Sequence, residues 1–207
     1  IIDADAIHLT GITPALSSTC YETVFEALEY SKNSNIPIIL DINYREPLWP
    51  PSSAKQTYNL MLKYPFILKM GLDEAETVWQ LGLTDIEYAK YFHDITKGIV
   101  LLTRGENGAI LNDGKNVIQH SGYKVNVVDP IGAGDAFMAG FVGALFKYIN
   151  YKRIIDINTL THHKELELSL KIANACGALT CTSRGDTASM PKMEKALKII
   201  KENKIFS

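Results

Sequence analysis

The run Val127-Val-Asp-Pro-Ile-Gly-Ala-Gly-Asp-Ala-Phe137 sets a carboxylate directly behind two glycines, at the start of an apolar segment with helical spacing. A β-branched pair, a proline and the glycines read as strand, tight turn and helix start, with Asp135 in the first helical turn. The amides of Gly132, Ala133 and Gly134 would be unpaired donors at a helix N-terminus, where the macrodipole also favours negative charge. These residue types permit proton abstraction beside a bound anion. The plainer reading is a helix acid placed for the dipole, behind glycines that serve only the turn.

The elements that must carry this turn are those of an α/β domain. Ala6 to Thr10 is a strand ended by Gly11, and Ser17 or Ser18 caps a helix from Thr19 to about Lys32. Ile36 to Asn43 is a near-continuous apolar run, as expected of a strand covered on both faces. Three prolines exclude a helix interior over Tyr44 to Pro51, and Ser52 or Ser53 is placed to cap the next helix, to about Tyr64. Phe66 to Met70 reads as a strand, with helices over Leu72 to Leu81 and Asp85 to Lys97. Strands over Gly98 to Thr103 and Gly108 to Asn112 flank a turn at Arg104 to Asn107. Asp113-Gly114 marks a further turn before strands over Val117 to Gln119 and Lys124 to Val128. The long helix from Gly132 is followed by a polar, irregular stretch from Lys147 to Lys164, then helices over Glu165 to Thr182 and Lys192 to Glu202, with Pro191 at the entry of the last. Strands alternating with helices predict a mainly parallel sheet with ligands beyond the strand C-termini.

Composition sets the outer bounds. The 207 residues, 46% hydrophobic, predict one domain with a sizeable core spanning 1–207. A net charge of -2, from 21 Lys plus Arg against 23 Asp plus Glu, offers nothing to nucleic acid or an acidic membrane. The apolar run from Ala136 to Phe146 is too short to cross a bilayer, and no signal peptide is evident. Cys20, Cys176 and Cys181 form no Cys-x-x-Cys pair and fit a reducing, cytoplasmic compartment, the last two as buried small hydrophobes. His162 and His163 lack helical metal spacing with other ligands and read as a solvated loop, and His8 as a core or strand-end residue. No metal-ligand set is assigned to the chain.

Taken whole, Asp129-Pro-x-Gly-Ala-Gly-Asp-x-Phe137 with its alanine- and glycine-rich helix closely resembles the C-terminal signature of the ribokinase-like (PfkB-type) carbohydrate kinases. The resemblance implies a three-layer α/β/α fold with a mainly parallel sheet, ATP as donor, and a sugar or sugar acid as acceptor. It implies that the turn amides hold the transferring phosphate and that Asp135 is the catalytic base. Phosphoryl transfer needs positioning, charge neutralisation and a base for the attacking hydroxyl, and no P-loop is present to supply a different cradle. Magnesium is expected to arrive with the nucleotide, since this hard cation keeps few protein ligands.

Further segments match the family in order. Leu9-Thr-Gly-Ile-Thr-Pro-Ala-Leu-Ser17 and Asp41-Ile-Asn-Tyr-Arg-Glu-Pro-Leu-Trp49 resemble the 2-keto-3-deoxygluconate kinase branch, which implies that Arg45 lines the acceptor site. A guanidinium suits a sugar acid because its planar fork grips a carboxylate; a plain surface ion pair is the alternative. Met70-Gly-Leu-Asp-Glu74 falls where the family often has Asn-x-x-Glu, whose glutamate helps organise magnesium and phosphate, usually through water. Gly71 stands at the Asn position, and Glu74 is otherwise an ordinary first-turn acid. Thr103-Arg-Gly-Glu-Asn-Gly108 resembles the strand-turn-strand segment beside the nucleotide, with Gly105 and Gly108 allowing close backbone approach, although an ordinary hairpin has the same pattern. Ala173-Asn-Ala-Cys-Gly-Ala-Leu-Thr180 resembles the helix that borders the adenine, with Asn174 a contact; small residues on a helix equally permit close helix packing.

The resemblance points to phosphorylation of 2-keto-3-deoxygluconate to its 6-phosphate, with a fructokinase- or ribokinase-like sugar kinase as the neighbouring alternative. Family members carry a further N-terminal portion that supplies a lid and much of the sugar site. The chain is expected to be a fragment lacking that portion, and a non-catalytic nucleotide-binding module is then a different class of reading. The full-length protein is expected to form a homo-oligomer.

Overall fold

The computed structural model describes residues 4–148 and 163–202. The chain divides into two compact units, one of Ile1–Arg104 with Ile110–Val117, the other of Gly105–Ala109 with Ile118–Ser207. Six strands are hydrogen-bonded in sequence order: β1 (Ile7–Thr10), β2 (Ile38–Asp41), β3 (Pro65–Gly71), β4 (Ile99–Thr103), β5 (Ala109–Asn112) and β6 (Val117–His120). β1 to β4 are all parallel. The connections after β4 and β5 are too short for a parallel crossover, which leaves antiparallel pairing there and a mixed sheet.

In the first unit the parallel strands are joined through α1 (Ser18–Ser34), α2 (Pro51–Met61), and the pair α3 (Leu72–Trp79) and α4 (Asp85–Thr96). Every residue of β2 is buried, which accounts for its unbroken apolar sequence. Local signals fix the helix ends. The Ser17 hydroxyl accepts from the Cys20 amide at 3.1 Å, and Asn35 closes α1 in the left-handed conformation. Thr84 and Glu87 form a reciprocal capping box on α4. α2 starts earlier than its serines predict. Pro51 occupies its first turn and Pro50 is its cap, because a ring-locked φ suits that position and no N–H is needed there. In the core Tyr58 stacks on Trp79 with ring centroids 6.0 Å apart, and Phe92 meets Trp79 edge to face at 4.8 Å.

Gly11, directly after β1, is buried under α2. A Cβ there would collide with the Ile42 carbonyl oxygen and come within 2.6 Å of the Tyr58 ring. Gly11→Ala is expected to cost roughly 1–3 kcal/mol, the range for overpacking a filled interior, read as a lowered midpoint in urea unfolding; an unchanged midpoint would mean the site has room.

The second unit contains α5 (Ala133–Tyr148), α6 (His163–Thr180), α7 (Asp186–Ser189) and α8 (Met193–Lys201). Small residues let α5 and α6 approach closely: a Cβ on Gly140 would meet Cys176 Sγ at 2.8 Å and Ala173 Cα at 3.2 Å, and one on Gly177 the Ala133 carbonyl at 3.2 Å. The expected strand over Lys124 to Val128 does not form. The amides of Val128 and Asp129 instead both donate to the Cys181 carbonyl, at 2.7 and 3.2 Å, and Val127 and Val128 stand 64% and 55% exposed. α7 forms between the two last expected helices, where no helix is predicted. His163 is an exposed first residue of α6 rather than part of a loop, while His162 and the rest of 149–162 lie outside the described residues. No helix among the described residues is long and apolar enough to cross a membrane.

Candidate active site

The turn before α5 is built from its own backbone. The Ala133 amide donates to the Pro130 carbonyl at 3.2 Å, and Gly132, third in that four-residue turn, has φ +80°. A type II turn demands this positive φ, and glycine supplies it without strain. Asp129 Oδ1 accepts from the Ile131 amide at 3.0 Å, so the acid that opens the signature fastens the turn from inside. The first amide to donate along the helix is that of Ala136, to the Gly132 carbonyl at 2.9 Å. The expectation of three unpaired amides is therefore corrected at Ala133, whose N–H closes the turn; Gly134 and Asp135 precede the first helical bond. Asp135 lies in the first turn of α5 and is exposed, while the next three residues, Ala136, Phe137 and Met138, are buried and anchor the helix.

Within the same unit Asn174 is 6% exposed, and its Nδ2 donates to the Leu170 carbonyl at 2.9 Å. One of its two N–H donors is held by its own helix, and the small residues around it let α5 and α6 pack closely. Gly105 and Gly108 have φ +56° and +77°. A Cβ on Gly105 would meet open space, whereas Gly108 is buried against the backbone of His120, Ser121 and Gly122. The close approach expected of Gly108 is therefore one to its own chain. Burial pushes the Cys176 thiol up to about 11, as befits an inert core residue.

In the first unit the C-terminal ends of β2 and β3 hold a group of charged residues. Lys69 Nζ lies 2.9 Å from Asp41 Oδ2 and 3.0 Å from Oδ1, both side chains being almost fully buried. Glu74, in the first turn of α3, accepts from the Gly71 amide through Oε2 at 2.6 Å and from the Tyr44 amide through Oε1 at 2.8 Å. Burial raises its carboxyl above the ordinary value, and the Lys69 charge and the Gly71 amide pull it back down. Arg45 follows Tyr44 and is exposed, on a turn closed by the Leu48 amide donating to the Arg45 carbonyl at 3.0 Å. Thr103 Oγ1 reaches the Met70 carbonyl at 3.4 Å at the end of β4.

The structure thus joins Glu74 to the segment that carries Arg45, and gathers Gly132, Ala133, Gly134 and Asp135 at one helix start. Sequence reasoning passed over Asp41, Lys69 and Asn43. Asn43 holds φ +44°, a conformation asparagine tolerates better than most residues; the Asp-x-Asn spacing was its only signal. No group of three or more His, Cys, Asp or Glu among the described residues is placed to hold a metal. Each Glu74 oxygen takes one backbone amide and keeps a further lone pair, and Gly71 has no side chain at the position where the family often has Asn.

A model described as pfkB family carbohydrate kinase matches residues 1–193. The chain is 30% identical over 187 residues to a 2-dehydro-3-deoxygalactonokinase of Haloferax volcanii, covering 90% of this chain and 54% of that protein. It is 30% identical over 203 residues to fructokinase-1 of Oryza sativa subsp. japonica, covering 97% and 60%. Putative fructokinase-8 of Arabidopsis thaliana is matched at 30% identity over 96% of this chain and 90% of its own length. The chain therefore spans little more than half of the first two relatives. Among solved structures, fructokinase with bound ATP from Xylella fastidiosa has a TM-score of 0.83 at 20% identity, over 97% of this chain and 62% of that one. Fructokinase from Vibrio cholerae O395, in its fructose, ADP and calcium form, has 0.77 at 23%, over 93% and 59%. These likenesses show the fold, and the match over 1–193 shows that the chain belongs to the PfkB family of carbohydrate kinases.

Proposed function

We propose that residues 1–207 form the nucleotide-binding and catalytic portion of an ATP-dependent sugar-acid kinase, whose acceptor is a 2-keto-3-deoxy sugar acid such as 2-keto-3-deoxygluconate, phosphorylated on its 6-hydroxyl. The observation that carries this reading is the turn at Pro130 to Ala133, which presents an exposed Asp135 in the first turn of α5. In the reaction, Asp135 takes the proton of the acceptor hydroxyl. That oxygen bonds to the γ-phosphorus, and the bond to the β-phosphate oxygen breaks, so that ADP leaves with the electron pair. The helix N-terminus and the Gly132 and Gly134 amides meet the charge on the transferring group. Arg45 grips the acceptor carboxylate. Gly105 and Thr103 are assigned to the nucleotide side, with Gly108 shaping their turn, and magnesium would come with the phosphates of ATP.

The sugar-acid choice is supported by Arg45 and by likeness to the Haloferax volcanii 2-dehydro-3-deoxygalactonokinase. Likeness to fructokinase-1 of rice at the same 30% identity supports fructose as the second reading. ADP release measured with ATP and a panel of sugars and sugar acids separates them. Sugar acids are expected to be preferred; a preference for fructose sinks the sugar-acid assignment. ATP binding by calorimetry without turnover on any acceptor would leave a nucleotide-binding module. In the same assay Arg45→Ala is expected to raise KM for the sugar acid by roughly 10- to 100-fold, the loss of one charge-assisted pair, with little effect on neutral sugars. An equal effect on both would place Arg45 outside carboxylate recognition.

A further inference from the structure

Three backbone features and one side-chain bond hold the segment that presents Arg45. The Ile42 amide continues the sheet by donating to the Lys69 carbonyl at 3.0 Å, and Asn43 turns the chain with its positive φ. The Tyr44 amide is then received by Glu74 Oε1, and the Tyr44 hydroxyl donates to the Trp49 carbonyl at 3.0 Å. Glu74 itself is locked at the head of α3 by the Gly71 amide on its other oxygen. Its carboxylate is therefore a bridge between two backbone amides, one after β2 and one at the end of β3, and Arg45 is the next residue along from the first of them.

We propose that Glu74 is a positioning residue for acceptor recognition: it fixes the backbone at Tyr44 so that Arg45 projects from a rigid support. The proposal rests on the reading of Arg45 as the group that binds the acceptor carboxylate. A bare backbone amide at Tyr44, next to a left-handed residue, would otherwise leave the Asn43–Arg45 turn held only from its far side. The half-buried carboxylate gives the two amides one charge-assisted acceptor and so restrains the turn. Gly71 fits this role, because its extended backbone (φ -78°, ψ 150°) delivers an N–H to Glu74, while a Cβ there would crowd Asp73.

Glu74→Gln tests it on the full chain, since an amide keeps one acceptor oxygen and turns an NH2 toward the second backbone N–H. The sugar-acid KM is expected to rise about tenfold or more, the scale of one lost charge-assisted bond, with the KM for ATP and the magnesium half-saturation unmoved. In an Arg45→Ala background the same change should have no further effect on the sugar-acid KM. Independently of activity, the Tyr44 amide should exchange with solvent at least about tenfold faster in the variant. If Glu74→Gln does not fold, Glu74→Asp, which keeps the charge and shortens the reach, is expected to give the same acceptor-specific loss. A shifted magnesium half-saturation with unchanged sugar-acid KM and unchanged Tyr44 exchange overturns the proposal. Absence of sugar-acid turnover by the unaltered protein removes instead the reading of Arg45, and the exchange measurement then decides the bridge alone.

Discussion

Asp135→Asn is expected to lower kcat by roughly 10² to 10⁴, the usual contribution of a positioned general base, while ATP binding stays within a few-fold of the unaltered protein. Asparagine has nearly the shape of aspartate and keeps a polar group at the start of α5, yet it cannot take the hydroxyl proton. The side chain is exposed, and the neighbours that fasten the helix, Ala136, Phe137 and Met138, are untouched. The fold should lose only the charge–dipole contribution of a first-turn acid, about 0.3–1 kcal/mol. Single-turnover phosphate transfer beside ATP calorimetry reads both halves of this expectation. Retained turnover would remove Asp135 as the base; loss of ATP binding together with turnover would instead make the carboxylate a support for the turn.

The second large effect is on stability. Lys69→Met should cost about 3–5 kcal/mol, because it leaves Asp41 charged and buried with its ammonium partner gone. That is a large share of the roughly 5–15 kcal/mol by which a domain is stable. Asp41 is only 2% exposed and lies in register with Lys69 across β2 and β3, so water cannot replace the lost contact without opening the sheet. The pair itself is a modest stabiliser, since two ions had to be desolvated to form it. Combining Asp41→Asn with Lys69→Met should accordingly recover part of the loss. Urea midpoints of the three variants decide the matter, and a single variant within about 1 kcal/mol of the unaltered protein would show that the pair is hydrated or dispensable.

The parallel strands were legible because burial on both faces leaves apolar runs such as Ile38–Leu40, and the start of α1 because Ser17 is a capping residue followed by amphipathic spacing. The turn before α5 was legible as a turn, but not the commitment of the Ala133 amide within it, since which N–H closes a turn depends on backbone angles. Val127 and Val128 carry strand-forming side chains without a neighbouring strand, and local propensity yields to the Cys181 carbonyl that receives the chain. Lys69 is a lone charge within the apolar strand Phe66 to Met70. Its partner is chosen by parallel register, which no spacing within one segment reveals. Glu74 read as a first-turn acid with a phosphate role by resemblance, and its bond to Tyr44, thirty residues away, could come only from the folded backbone.

Competition between acceptors tests the central claim most directly. Incubating the full chain with ATP and equal concentrations of 2-keto-3-deoxygluconate and fructose, then weighing the products by mass spectrometry, reports both the reaction and its acceptor. The expected product is the sugar-acid phosphate with an equal amount of ADP, absent in Asp135→Asn. Fructose phosphate in its place, or ADP without any phosphorylated acceptor, would contradict the account.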